Sequence, residues 1–119
     1  MEKFVRSEKG FWIGSLWAAQ QSMIDRANKR SGKFLTITDR KTGLRMLIYK
    51  IGCDGIYYDE DGQQFVIDSA SICLIPLELV EDTNFKGRIF EGAGAASMDC
   101  FDEDMFGFTL PSGKTLVLS

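Results

Sequence analysis

The chain has 119 residues, 45% of them apolar, and a net charge of −3. That length suits one domain and that apolar content a packed core rather than disorder, while no apolar run approaches the roughly 20 residues of a membrane-spanning helix. The absence of histidine excludes Ser–His–Asp and Cys–His nucleophile systems and His-dependent zinc sites, and Cys53, Cys73 and Cys100 form neither a CxxC pair nor an even disulfide set.

The first nine residues mix two acids with three bases and lead into no unbroken apolar stretch. No export signal is read there, and a cytoplasmic chain with reduced thiols is expected. Residues 11–31 are predicted as a helix. Trp12, Leu16, Ala19, Met23 and Ala27 recur at helical spacing, Gln20, Gln21, Asp25 and Asn28 supply a polar side, and Ser31-Gly32 stops the run. Trp17 lies about 140° round that helix from Trp12. With Ile13 and Ile24 it makes a second apolar stripe, which suggests dimerisation.

From Phe34 the period changes to two. Strands are predicted at 34–38, 44–51, 55–58, 63–67, 70–75, 85–91, 106–110 and 115–118. Turn chemistry separates the members of three hairpins: Asp39-Arg40-Lys41-Thr42-Gly43, Asp59-Glu60-Asp61-Gly62 and Pro111-Ser112-Gly113-Lys114. The expected fold is therefore α+β: a single domain, 1–119, with an N-terminal helix packed on an antiparallel, hairpin-built sheet or small curved barrel.

Three motifs fall short of the chemistry they resemble. Gly113-Lys114-Thr115 ends like a phosphate-binding loop, but Phe108 stands where the motif needs its first glycine, and a strand follows instead of a helix. Gly92-Ala93-Gly94-Ala95-Ala96-Ser97 approaches a dinucleotide fingerprint, with serine for the third glycine. Asp59-Glu60-Asp61-Gly62 resembles a calcium loop, but Tyr57 takes the first ligand position. Asp99, Asp102, Glu103 and Asp104 form the densest acidic cluster, interleaved with Phe101, Met105 and Phe106. Aromatics among acids suit the grip of a basic protein surface better than catalysis.

The modest net charge hides a split. Residues 1–50 hold eleven Lys and Arg against four Asp and Glu, and residues 51–119 hold three against thirteen. In a compact fold the two fields can cancel beyond a Debye length of about 8–10 Å.

These features point to a non-enzymatic interaction protein, a homodimer, with no cofactor or metal. The expected interface is Trp17, Phe101, Asp102, Glu103, Asp104 and Phe106. A second reading is a small-molecule pocket between helix and sheet, walled by Trp12, Tyr57, Tyr58 and Phe65. A third is nucleic-acid binding through the basic segment 26–50.

Overall fold

The computed structural model describes residues 3–15, 34–50, 55–67, 71–80, 87–102 and 105–119. These contain β1 (Lys3–Ser7), β2 (Gly10–Ser15), β3 (Phe34–Thr38), β4 (Arg45–Lys50), β5 (Gly55–Tyr58), β6 (Gln64–Ile67) and β7 (Ser71–Pro76). A 3₁₀ turn (Leu77–Leu79), β8 (Gly87–Glu91), β9 (Gly94–Asp102), β10 (Met105–Thr109) and β11 (Thr115–Leu118) complete them.

The α+β expectation is corrected: the described residues are nearly all β, with no helix packed on a sheet. The predicted helix 11–31 begins inside β2, and its remainder lies outside the described residues. All six positions of β2 are buried, because the strand has hydrogen-bonded neighbours on both sides and apolar cores on both faces. β9 is a second correction. It runs as a strand through the expected glycine loop and into the expected acidic loop.

Two sheets organise the fold, one in the order β1-β9-β10-β11 and the other β3-β4-β7-β2-β8. The β5–β6 hairpin joins the first sheet through a reciprocal backbone pair, Tyr58 N to Ser119 O at 2.9 Å and Ser119 N to Tyr58 O at 3.1 Å.

One bent ribbon connects the sheets. β1 pairs with β9 from Lys3↔Met98 to Ser7↔Gly94. Beyond two intervening residues on each arm, β2 pairs with β8 from Gly10↔Glu91 to Gly14↔Gly87. The register does not slip across the gap, where Gly92 N donates to Lys9 O at 3.3 Å. β1–β2 and β8–β9 are thus two long strands of one antiparallel ladder. β1 is the edge strand of the first sheet, whereas β8 is the edge of the second.

Glycines make the bend possible. Gly10, Gly92 and Gly94 have φ of 135°, 131° and 136°, a region closed to side chains. A Cβ on Gly10 would also stand 2.4 Å from Phe90 O. Ser7 locks the corner: its Oγ accepts from Lys9 N at 3.0 Å and Gly10 N at 2.9 Å, and donates to Glu78 Oε1. Glu8 N donates to the other oxygen of Glu78 at 3.0 Å. The 3₁₀ turn after β7 is thereby tied to the bend.

The larger core is enclosed between the sheets, with Phe11, Ile13, Leu74, Met98, Phe106 and Phe108 among its members. Alternation along the second sheet sends Trp12, Ile37, Met46, Ile48, Cys73 and Ile75 to a separate core on its other face.

Gly10→Ala meets both forbidden backbone and a clash, so it is expected to cost about 3 kcal/mol or more. Gly92→Ala, where no atom lies within 4 Å of the new Cβ, meets backbone strain alone and is expected to cost about 1–2 kcal/mol. Urea midpoints of the two variants against the parent chain check the order.

Candidate functional site

The β5–β6 hairpin divides its residues by parity. Tyr57, Phe65 and Ile67 point into the larger core. Ile56 and Val66 are directly opposed across the strands and remain 52% and 46% exposed, with Tyr58 at 44%. Three large apolar side chains thus share the hairpin's outer face. On the adjoining strands that face carries Thr109 opposite Thr115 and Ser119 beside Tyr58, and a separate exposed aromatic, Phe4, lies opposite Ser97 on the edge strand β1.

Asp59 builds the hairpin tip. Its Oδ1 accepts from Asp61 N at 2.9 Å and Gln63 N at 2.8 Å, and Gly62, at φ 81°, closes the turn onto Asp59 O. Its Oδ2 takes Arg88 Nη1 at 2.7 Å, which ties the tip to β8. Burial pushes the Asp59 carboxyl up, but the bond from Arg88 and the Gln63 and Asp61 amides outweigh it. The carboxyl therefore lies below the usual aspartate range. Arg88 Cζ lies over the rings of Phe65, at 5.1 Å, and Phe90, at 5.2 Å. Beside it a groove of about 170 Å³ is lined by Gly14, Gln64, Phe65, Val66, Gly87 and Arg88.

The other grooves lie at the sheet ends. One of about 500 Å³ opens at the ribbon bend beside Arg6, Ser7, Thr42 and Glu78. Ser7 is no nucleophile there, since two backbone amides occupy its acceptor sites and its proton is held by Glu78. Burial pushes Glu78 up, but the Ser7 hydroxyl, the Glu8 amide, its own amide and the charge of Lys9 bring it below the usual glutamate range. Another groove, of about 580 Å³, runs past Ile89, Glu91, Pro111 and Lys114.

The expected site residues are scattered. Trp17, Glu103 and Asp104 lie outside the described residues, as do residues 26–33 of the basic segment 26–50. Phe101 and Asp102 belong to β9. Phe106 is corrected from interface to core: it has no exposed surface and packs against the rings of Tyr49, at 5.7 Å, and Tyr57, at 5.1 Å. A register shift between Met105 and Phe106 leaves Met105 outside and sends Phe106 and Phe108 inward.

The four proposed pocket walls do not surround one cavity. Trp12 belongs to the core on the far face of the second sheet, Tyr57 and Phe65 to the core between the sheets, and Tyr58 faces outward. Trp12 lies against Gly87, where a Cβ would meet the indole at 2.4 Å, and its Nε1 is buried without a hydrogen-bond partner. Cys73 is fully buried, and burial pushes its thiol far up. No group of three or more His, Cys, Asp or Glu able to hold a metal occurs among the described residues. No described helix is long and apolar enough to cross a membrane.

Sequence reasoning missed the outer hairpin face and Arg88. The signal for the first was available: Ile56 and Val66 share a parity with Tyr58 once Tyr57 and Phe65 are assigned inward. Arg88 carried none, because its partner Asp59 is 29 residues away.

Folding keeps some of the charge split apart. Arg40, Lys41 and Arg45 are exposed around the β3–β4 turn, and Glu60 and Asp61 are exposed at the β5–β6 tip. β3 and β8 are opposite edges of the second sheet. Four strand spacings amount to about 19 Å, well beyond the Debye length of about 8 Å at physiological salt.

Comparison with family models, curated proteins and solved structures finds no match.

A carboxyl with a depressed folded-state pKa stabilises in full above its unfolded pKa, and that contribution is lost as pH falls through the folded value. Asp59→Asn and Glu78→Gln are each expected to flatten the loss of stability on acidification. Urea midpoints measured from neutral pH to roughly pH 2 check this; an acid limb as steep as the parent's would contradict it.

Proposed function

We propose that this chain is a non-catalytic interaction protein that pairs with a second copy of itself through the outer face of the β5–β6 hairpin. The observation that carries the proposal is the apolar trio Ile56, Tyr58 and Val66, three large side chains left 44–52% exposed together on one face of a two-stranded hairpin. Association removes such a surface from water.

Charge favours a second copy as the occupant. The acidic tip, Glu60 and Asp61, borders the trio, and the same chain carries an exposed basic turn at Arg40, Lys41 and Arg45. The two cannot neutralise each other across the width of one sheet. A twofold pairing uses each charge twice, since every contact made in one direction is repeated in the other. The trio would form the buried centre of that contact and the charges its rim.

Sedimentation equilibrium tests the proposal. The parent chain is expected to dimerise and to dissociate more readily as salt rises. Ile56→Asp is expected to weaken the dimer by about tenfold or more with little change in melting temperature, because Ile56 is already half exposed. A parent chain that stays monomeric at roughly 0.5 mM, a concentration that would populate even a submillimolar dimer, overturns it.

A further inference from the structure

The groove beside Arg88 has the features of a ligand site. We infer that it binds a carboxylate carried on a short chain, with the Arg88 guanidinium as the recognising group. The groove shares Val66 with the hairpin's outer face, but the inference rests on Arg88 and not on self-association.

Four observations support the assignment. First, Arg88 is held before any ligand arrives: Nη1 is fixed on Asp59 at 2.7 Å, and Cζ lies over two phenyl rings at 5.1 and 5.2 Å. A fixed guanidinium loses little side-chain entropy on binding. Second, the ion pair does not exhaust it. A guanidinium offers five N–H donors in one plane, Asp59 is held through Nη1, and the Arg88 side chain keeps 31% of its exposure against 4% for Asp59. Its remaining in-plane donors suit a carboxylate, which forks onto a guanidinium through two parallel N–H bonds.

Third, the groove is small. About 170 Å³ equals the liquid volume of five or six waters, which suits a carboxylate and a short stem. Gly14 and Gly87 line it without side chains, and the exposed Gln64 also belongs to its lining. Fourth, the groove lies between β6 and β8, each of which has a ladder partner on one side only among the described residues. Unpaired strand edges offer backbone donors and acceptors to an extended chain. The surrounding charge selects within the anions. Asp59, Glu60, Asp61 and Glu91 all belong to the hairpin tip or to β8, so a dianion such as phosphate meets more repulsion than a monoanion.

Two sources share this chemistry: a free short-chain carboxylic acid and the carboxy terminus of a peptide. Titration of the full chain, followed by ¹H–¹⁵N spectra at the Gly14, Gln64 and Gly87 amides and the Arg88 Nε, separates them. The probes are propionate, an N-acetylated tripeptide acid, the same tripeptide as its carboxamide, and inorganic phosphate at matched ionic strength.

Saturable shifts with the tripeptide acid, at least tenfold weaker with the carboxamide, are expected. Propionate binding as well as the tripeptide acid assigns the site to free acids, and a clear preference for the tripeptide acid assigns it to chain termini; either result upholds the inference. Arg88→Lys keeps the charge but loses the planar fork, and is expected to weaken binding at least tenfold. Gln64→Glu changes an exposed residue, leaves the fold intact, and places a like charge in the lining, so it is expected to weaken binding severalfold. No saturable shift with any carboxylate up to roughly 20 mM, where even a millimolar site would be mostly filled, overturns the inference. So does tighter binding of phosphate, or a parent-like affinity in folded Gln64→Glu.

Discussion

The fold depends on one constraint: a two-stranded ladder must turn from one sheet into the other without losing register. A twisted ribbon of side-chain-bearing residues resists so local a bend. The chain solves this with glycines at φ near 130–136° on both arms, Gly10 on one and Gly92 and Gly94 on the other. The hydrogen bond from Gly92 to Lys9 keeps the arms paired at the turn. Because the ribbon supplies an interior strand to each sheet, β9 to the first and β2 to the second, both cores depend on it. Phe11 and Ile13 belong to one core and Trp12, between them, to the other.

Two polar ties hold the sheets to this ribbon. At the bend, Ser7 and the Glu8 amide hold the carboxylate of Glu78 and so anchor the end of β7. At the far edge, Arg88 on β8 reaches Asp59 at the hairpin tip. The second tie matters because a two-stranded hairpin is marginal alone. Among the described residues, β5–β6 is attached to the rest of the fold through the side chains it inserts into the core, the backbone pair at Ser119, and Arg88. Both ties place a carboxylate against donors that prefer its ionised form, so acid weakens the corner and the hairpin together.

The sequence was legible where strands are half buried and opaque where they are not. β3, β5, β6 and β11 alternate between buried and less buried positions, and their period of two was readable. β2 is buried at every position, so Phe11-Trp12-Ile13 shows no alternation. A short apolar run of that kind cannot be told from a helix by period, and Trp12–Leu16 spacing completed the misreading. β9 failed for the opposite reason. Gly94-Ala95-Ala96-Ser97 has low strand propensity and is held by partners on both sides, β1 and β10. The glycine pair there, Gly92 and Gly94, drew notice as an incomplete dinucleotide fingerprint, when its physical use is the bend. Phe106 was placed at an interface because its neighbours are acidic, yet strand parity beyond the register shift, not neighbouring charge, decides which way it points.

The same parity explains why the candidate sites gather on β5–β6 and its neighbour β8. A strand with one face committed to the core must put its remaining side chains somewhere, and on the neighbouring strands those positions include Thr109, Thr115 and Ser119, which water accepts. In β5 and β6 they are Ile56, Tyr58 and Val66, which water does not favour. The Ile56–Val66 cross-strand pair adds only modestly to the hairpin's own stability, since its core side is already filled by Tyr57, Phe65 and Ile67. Nor does the exposed edge use the usual deterrents: Gln64-Phe65-Val66-Ile67 carries neither charge nor proline. A surface that is apolar on its face, uncharged along its edge and acidic only at its tip is the physical basis of the pairing proposed above. That surface sits on a two-stranded hairpin whose polar tie to the second sheet is the Arg88–Asp59 ion pair.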